Sequence, residues 1–292
     1  MATSNFKVFN ETMSNIENDV QYLADAQRVG GVVPGVAPSA LHNKLYRQVS
    51  IMVAALGQLS ANRGFSVSDA DLTALVAALN GALGPAQTTG TMTLYVSTTG
   101  NDTTGDGSIG LPYRTVQFAI NKIPQIVNHS VIINIAAGTY AEAINIAGFN
   151  GKGILELIGN TASATVSVIS ILMQVCGCKV KSSGLNVTTT TGAAITVDGC
   201  QWAHLNTNFV TSSGAFEGIR AVSSFVYTAG NVLSNRSVAI YSDFMSVVGS
   251  TNNTGTGNTI GLYASTAGTI GKGGTQPAGT TAEAFSTGGV IR

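Results

Sequence analysis

The chain has 292 residues, with 14 basic and 14 acidic side chains and a formal charge of zero. Charged residues make up only 10%, against roughly 25% in an ordinary soluble domain, while the apolar share is 44% and 35 residues are glycine. Disorder driven by net charge and phosphate-led nucleic-acid binding, which needs a basic stripe, are thereby excluded. The near-apolar runs 49–56 and 131–137 are too short for membrane insertion. Residues 1–25 lack the basic start and apolar core of a signal peptide. Three cysteines, two of them only two apart, do not make a disulfide framework. A soluble protein made in a reducing compartment is implied.

Composition changes at about residue 84. Before it, apolar residues recur at helical spacing. Phe6, Phe9, Met13, Ile16, Val20 and Leu23 predict one amphipathic helix, broken by the turn Gly30–Gly35. Ser39 is expected to cap a longer helix in which Leu41, Leu45, Val49, Met52, Leu56 and Leu59 share a face, ended by Gly64. Ser68 and Asp71 outline a capping box for a third helix through Leu72, Leu75, Val76, Leu79 and Leu83. Residues 84–90, with a proline, read as a short linker that would limit swing.

From Thr93 the pattern becomes short β-rich runs between Gly, Asn, Ser and Thr. Aligning Met173, Ile195, Ile219, Ile240 and Leu262 as lead apolar residues gives spacings of 22, 24, 21 and 22. A period near 22 with several short strands per repeat predicts a parallel β-helix; a leucine-rich-repeat consensus is absent, and a sandwich would show no constant repeat. Further runs upstream, at Ile133–Ile135, Ile144–Ile146, Leu155–Ile158 and Val166–Val168, fit the same scheme.

The segment Tyr95–Asp102, Gly107 and Pro112–Ile120, followed by Ile135–Ile146 and Leu155–Gly159, resembles the opening coils of right-handed β-helix proteins of the pectate-lyase-like superfamily. In such a fold the amphipathic segment Thr115–Ile123 can cover the exposed end of the helix. Arg28–Gly35, Asn43–Gln48, Gly64 and Asp69–Leu75 resemble helical modules that precede such domains in tail and fibre proteins of bacteriophages. The expected architecture is mainly β: a small α-helical module over 1–84, a linker at 85–92, a right-handed parallel β-helix over 93–283, and a tail at 284–292.

Relatives that cleave polysaccharide place two or three carboxylates on an outer face. Beyond residue 110 the acids are Glu142, Glu156, Asp198, Glu217, Asp243 and Glu283. Asp198 and Asp243 each lie three places after a lead residue, which points both outward on one face. They stand two coils, roughly 10 Å, apart, slightly beyond the ~6.5–9.5 Å of an inverting pair, and are expected to be solvated. Neither the pectin-methylesterase pattern nor a calcium-binding acid cluster is visible.

One place after each lead residue, Thr196, Arg220, Tyr241 and Tyr263 predict an outward ladder, with the two tyrosines stacked. Such a strip suits subunit packing or a sugar face. Trp202 reads as a buried or interface side chain. Cys178 and Cys200 are expected to stack in the core, and Asn206, Asn231 and Asn252 to sit at tight turns. His42, His129 and His204 are scattered, without zinc spacing, so no metal or cofactor is expected. Gly268–Gly273 only superficially resembles a phosphate loop, lacking its first glycine and the Ser/Thr after Lys272.

The resemblance implies a structural virion protein, a tail or head fibre or spike subunit made in the host cytoplasm. Leu41, Leu45, Met52 and Leu56 would dock on other tail, baseplate or neck proteins through residues 1–84, and the β-helix would project for host-surface contact, as a homotrimer, with host polysaccharide as a further partner. The alternative is a polysaccharide depolymerase, a hydrolase or lyase acting through Asp198 and Asp243.

Overall fold

A computed structural model describes residues 8, 12–31, 38–68 and 71–292. The chain divides into two compact units, residues up to 86 and residues 87–292.

In the first unit, four helices are α1 (Asp19–Ala24), α2 (Ala26–Gly30), α3 (Ser39–Asn62) and α4 (Leu72–Leu83). The single amphipathic helix expected across Met13 to Leu23 is instead the short α1. Asn18 closes a capping box with Gln21, its side chain accepting the Gln21 N–H and the Gln21 side chain accepting its own N–H. That reciprocal pair starts the helix at Asp19, and Met13 and Asn15, with φ of 56° and 48°, lie outside it. Phe6, Phe9, the 32–35 part of the turn and Asp69 fall outside the described residues.

Two other caps differ from expectation. Pro38, without a side-chain bond, precedes α3, so Ser39 is its first residue. For α4 the cap is Asp71 in place of Ser68, and its carboxylate accepts the N–H groups of Thr73 and Ala74 at 2.8 and 3.1 Å. Gly64 ends α3 as expected, with φ of +88° and its N–H on Ala61 O, the left-handed turn that glycine adopts without a Cβ penalty. Leu41 is buried.

The second unit is a parallel β-solenoid of about seven coils. Its described strands form three sheets of nine, seven and five strands, all parallel. The nine-stranded sheet runs from Met92–Val96 to Val290–Ile291, the seven-stranded from Ala143–Ala147 to Gly279–Phe285, and the five-stranded from Gly138–Thr139 to Val232–Leu233. The Val290–Ile291 pairing with Thr269–Ile270 carries the ladder into the segment expected as a tail.

Period-2 alternation builds the core, as in Ser130–Ile135, where every second residue is buried. Ile171, Ile195, Ile219, Ile240 and Leu262 stack in one inward column, each at most 1% exposed. Val131, Leu155, Val180, Ala203, Val226, Val248 and Ile270 form a second on the nine-stranded sheet. Each large aliphatic side chain so buried contributes about 1.5–3 kcal/mol.

Helix α5 (Val116–Asn121) adds Val116, Ala119 and Ile120 to this core at its first coils. Two acids fix its start. Glu142 accepts the N–H groups of Val116 and Gln117 at 3.0 and 2.9 Å, and Asp102 accepts from Arg114 N, Thr115 N and the Thr115 hydroxyl.

The observed register corrects one alignment. Ile195 pairs with Ile171, and Val197 with Met173, so Ile171 is the lead residue of that coil. Both residues point inward, and a two-residue slip preserves the inward–outward alternation, so hydrophobic pattern cannot detect it. The slip moves Cys200 from Cys178 to Cys176 as its stacking partner.

The asparagines expected at turns divide. Asn252 stands at a turn with φ of 50°, Asn206 ends a strand, and the buried asparagines that follow one another along the coils are Asn208, Asn231 and Asn253. Residues 87 and 88, expected in the linker, already belong to the solenoid: Gln87 bridges Ile126, and the Thr88 hydroxyl accepts the N–H groups of Asn128 and His129 at 2.9 and 3.2 Å.

Candidate interaction surface

The outward ladder forms as its spacing implies. Thr196 pairs with Arg220, Arg220 with Tyr241, and Tyr241 with Tyr263. The tyrosine rings stack with centroids 4.9 Å apart and planes 27° apart, and the Arg220 guanidinium lies 5.7 Å over Tyr241. Each side chain is half-buried.

Asp198 and Asp243 stand at paired positions two coils apart, with Val222 between them, but they do not form the solvated pair expected. Asp243 is 3% exposed. Its carboxylate accepts from Arg220 at 3.2 Å, from the Ser265 hydroxyl at 3.0 Å and from Phe244 N–H at 3.0 Å. Tyr241 and Ser265 share a further hydroxyl bond of 2.7 Å. Burial alone would raise the Asp243 pKa; hydrogen bonds from Ser265, Thr266 and Arg220 outweigh it and hold the carboxyl below the usual carboxylate range. A general acid needs the opposite shift. The strand ends just beyond it, at Phe244 and Met245 with φ of 45° and 57°.

The other solenoid acids are mostly bonded within the fold. Glu156 pairs with Lys181 at 2.8 Å, Glu283 with Lys272, and Glu142 caps α5. Asp198 makes no such bond. Among the described residues no group of three or more His, Cys, Asp or Glu is placed to hold a metal ion, and no helix is long and apolar enough to cross a membrane. A cleft of about 640 Å³ between Tyr95, Ile109, Pro112 and Asn134 is lined by no acid or base.

Sequence reasoning missed an apolar strip beside the nine-stranded sheet. Phe225 pairs with Val247, and Trp202 immediately precedes Ala203, the partner of Val226, so the three side chains occupy one outward column. They are 46%, 55% and 39% exposed in the order Trp202, Phe225, Val247. With Tyr227 and Gly249 they line a depression of about 220 Å³. Lys179 sits 5.8 Å over the Trp202 ring, and Phe244 and Met245 extend the exposed apolar surface around the corner. The signal was present as adjacent apolar pairs, Trp202-Ala203, Phe225-Val226 and Val247-Val248, which break the alternation a half-buried strand requires.

Beside the strip, Glu156, Lys181, His204 and Tyr227 form a second outward column. His204 meets Tyr227 edge-on at 4.7 Å, and burial followed by the Lys181 charge lowers its pKa.

On α3, Leu45, Met52 and Leu56 are exposed at 36%, 68% and 41%, whereas Leu41 is 1% exposed and does not belong to the available face. Val49, Ile51, Val53 and Leu59 widen that face. Compared with family models, curated proteins and solved structures, the chain matches none.

Proposed function

We propose that this chain is a structural bacteriophage virion protein, a tail or head fibre or spike subunit. Its N-terminal helices dock on other virion proteins of the tail, baseplate or neck, and its β-helix serves host-surface contact. The family part of this reading rests on the sequence resemblance. The observation that carries the docking part is the exposed apolar face of α3, where Val49 and Met52 are 64% and 68% exposed; an apolar face of that extent marks an interaction surface. Homotrimer formation belongs to the same reading, with the Trp202–Phe225–Val247 strip as the face best suited to pack subunits, because it is apolar and aromatic at its centre.

The depolymerase alternative needs two cooperating carboxylates on one face. Asp243 is committed to Arg220 and Ser265, which favours the structural reading.

Docking is tested by assembling particles with the full chain and with a fragment starting at Gln87. The fragment is expected to fold as a β-rich solenoid and to be missing from purified particles. Normal copy number of the fragment on particles overturns the docking assignment. Mass photometry of the full chain at micromolar concentration tests the trimer, and a monomer overturns it.

A further inference from the structure

Cys176 and Cys200 stand on successive coils, each two residues past the paired positions Gln174 and Asp198. Strands stacked in this way lie about 4.8 Å apart, within the ~4.4–6.8 Å between Cα atoms that a disulfide spans. Both side chains point inward and are at most 2% exposed. Each thiol shifts the ionisation of the other. The Cys176 thiol also faces Ile146 O and Gln174 O at 3.5 and 3.4 Å, and the Cys200 thiol faces Asp198 O at 3.6 Å. On the next coil the position belongs to Ser224, whose hydroxyl accepts the Cys200 N–H at 3.0 Å, so the column places two sulfurs together at this one step.

We propose that Cys176 and Cys200 are a modification site: a thiol pair that an oxidant of the peroxide class converts to an inter-coil disulfide, fastening two coils of the solenoid together. The proposal is independent of the virion reading.

The chemistry balances without another reactant. The Cys176 thiolate attacks one peroxide oxygen, forming a sulfenic acid as the O–O bond breaks and hydroxide leaves. The Cys200 sulfur then attacks the Cys176 sulfur, its proton going with the departing oxygen as water. Two thiols and one hydrogen peroxide give one disulfide and two waters; the sulfurs are oxidised and the peroxide reduced. Cys176 is the group suited to the first step, because its neighbour Cys200 holds its thiol below the ordinary range, while Cys176 and burial push Cys200 up. A surface depression of about 320 Å³ lined by Gly199, Cys200, Gln201, Phe225 and Met245 opens beside Cys200. The Cys178 thiol is pushed up to about 12 by burial.

The test treats the folded full chain with hydrogen peroxide, then measures intact mass and maps peptides without reduction. The expected result is a loss of two hydrogens and a peptide joined through Cys176 and Cys200, both reversed by a thiol reductant. The closed loop holds 23 residues between the cysteines, so the melting midpoint should rise by roughly 5–10 °C on oxidation. Cys178→Ala should keep the bond and the shift, and Cys200→Ser should lose both. Thiols that all stay free, sulfinic acid at Cys176 in place of the bond, or a bond through Cys178 would each overturn the proposal. If Cys200→Ser fails to fold, the peptide map of the natural chain decides alone, because it identifies the bonded pair directly.

Discussion

The side-chain oxygen of Asn253 accepts both the main-chain N–H and the side-chain amide of Asn231, each at 2.9 Å. One coil earlier the Asn231 side-chain oxygen accepts the Asn208 N–H at 2.8 Å, and that of Asn208 accepts Leu185 N–H at 3.2 Å. The amides point into the solenoid and donate to Leu205 O, Thr228 O and Ser182 O. This ladder satisfies main-chain groups at a corner where regular strand pairing ends and the three asparagines are fully buried.

Replacing Asn231 by Leu removes an acceptor and two donors at once and leaves buried main-chain partners unpaired. The expected cost is about 3 kcal/mol or more, read as a lower urea midpoint with unchanged slope. Asn235→Leu, at an exposed turn position, is the control and should cost less than half as much.

Arg236 is 1% exposed, yet it pairs with no carboxylate. Its guanidinium donates to four main-chain carbonyls, those of Thr189, Ser212, Gly192 and Glu217, at 2.7 to 3.3 Å. It gathers loops of successive coils through a planar fork that lysine does not offer. Gly214 is required beside it, since a Cβ there would lie 2.5 Å from the Arg236 Nη1. Arg236→Lys should therefore destabilise the solenoid by roughly 2 kcal/mol and Arg236→Met by more. Limited proteolysis should show new cleavage within residues 189–193 and 211–217; unchanged protection would argue against the clamp.

Asp243 gives a pH prediction. Its folded carboxyl sits below the ordinary range, so it binds a proton less readily folded than unfolded. The stability it adds is present above the unfolded pKa, about 4, and is lost as pH falls through the lower folded value. Asp243→Asn should thus melt below the natural chain near neutral pH, and the two curves should converge under strong acid. Parallel curves across that range would show that the carboxylate contributes no linked stability.

The face of α3 predicts a contrast between neighbours on one helix. Leu41→Glu puts a charge into a buried site and should unfold the helical unit, at a cost of several kcal/mol. Leu45→Glu and Met52→Glu change exposed positions and should leave helix content unchanged, within about 0.5 kcal/mol, while abolishing incorporation into particles. Circular dichroism and particle composition separate the two outcomes. Normal incorporation of Met52→Glu would remove α3 as the docking face.

The sequence by itself determined the coil. A constant repeat near 22 residues with period-2 alternation can be satisfied only by stacked parallel strands, and the Thr196–Arg220–Tyr241–Tyr263 ladder followed from that repeat alone. Gly64 was equally legible, because a left-handed helix end selects glycine locally. Tertiary structure decided everything that depends on the offset between coils. Met173 and Ile171 are both inward and apolar, so nothing in the pattern distinguishes a two-residue slip, and with it went the choice of Cys176 over Cys178. The burial of Asp243 was hidden for a related reason. Spacing placed it on the outer face, but Arg220 and Ser265 reach its carboxylate from neighbouring coils, and such contacts exist only once the coils are stacked.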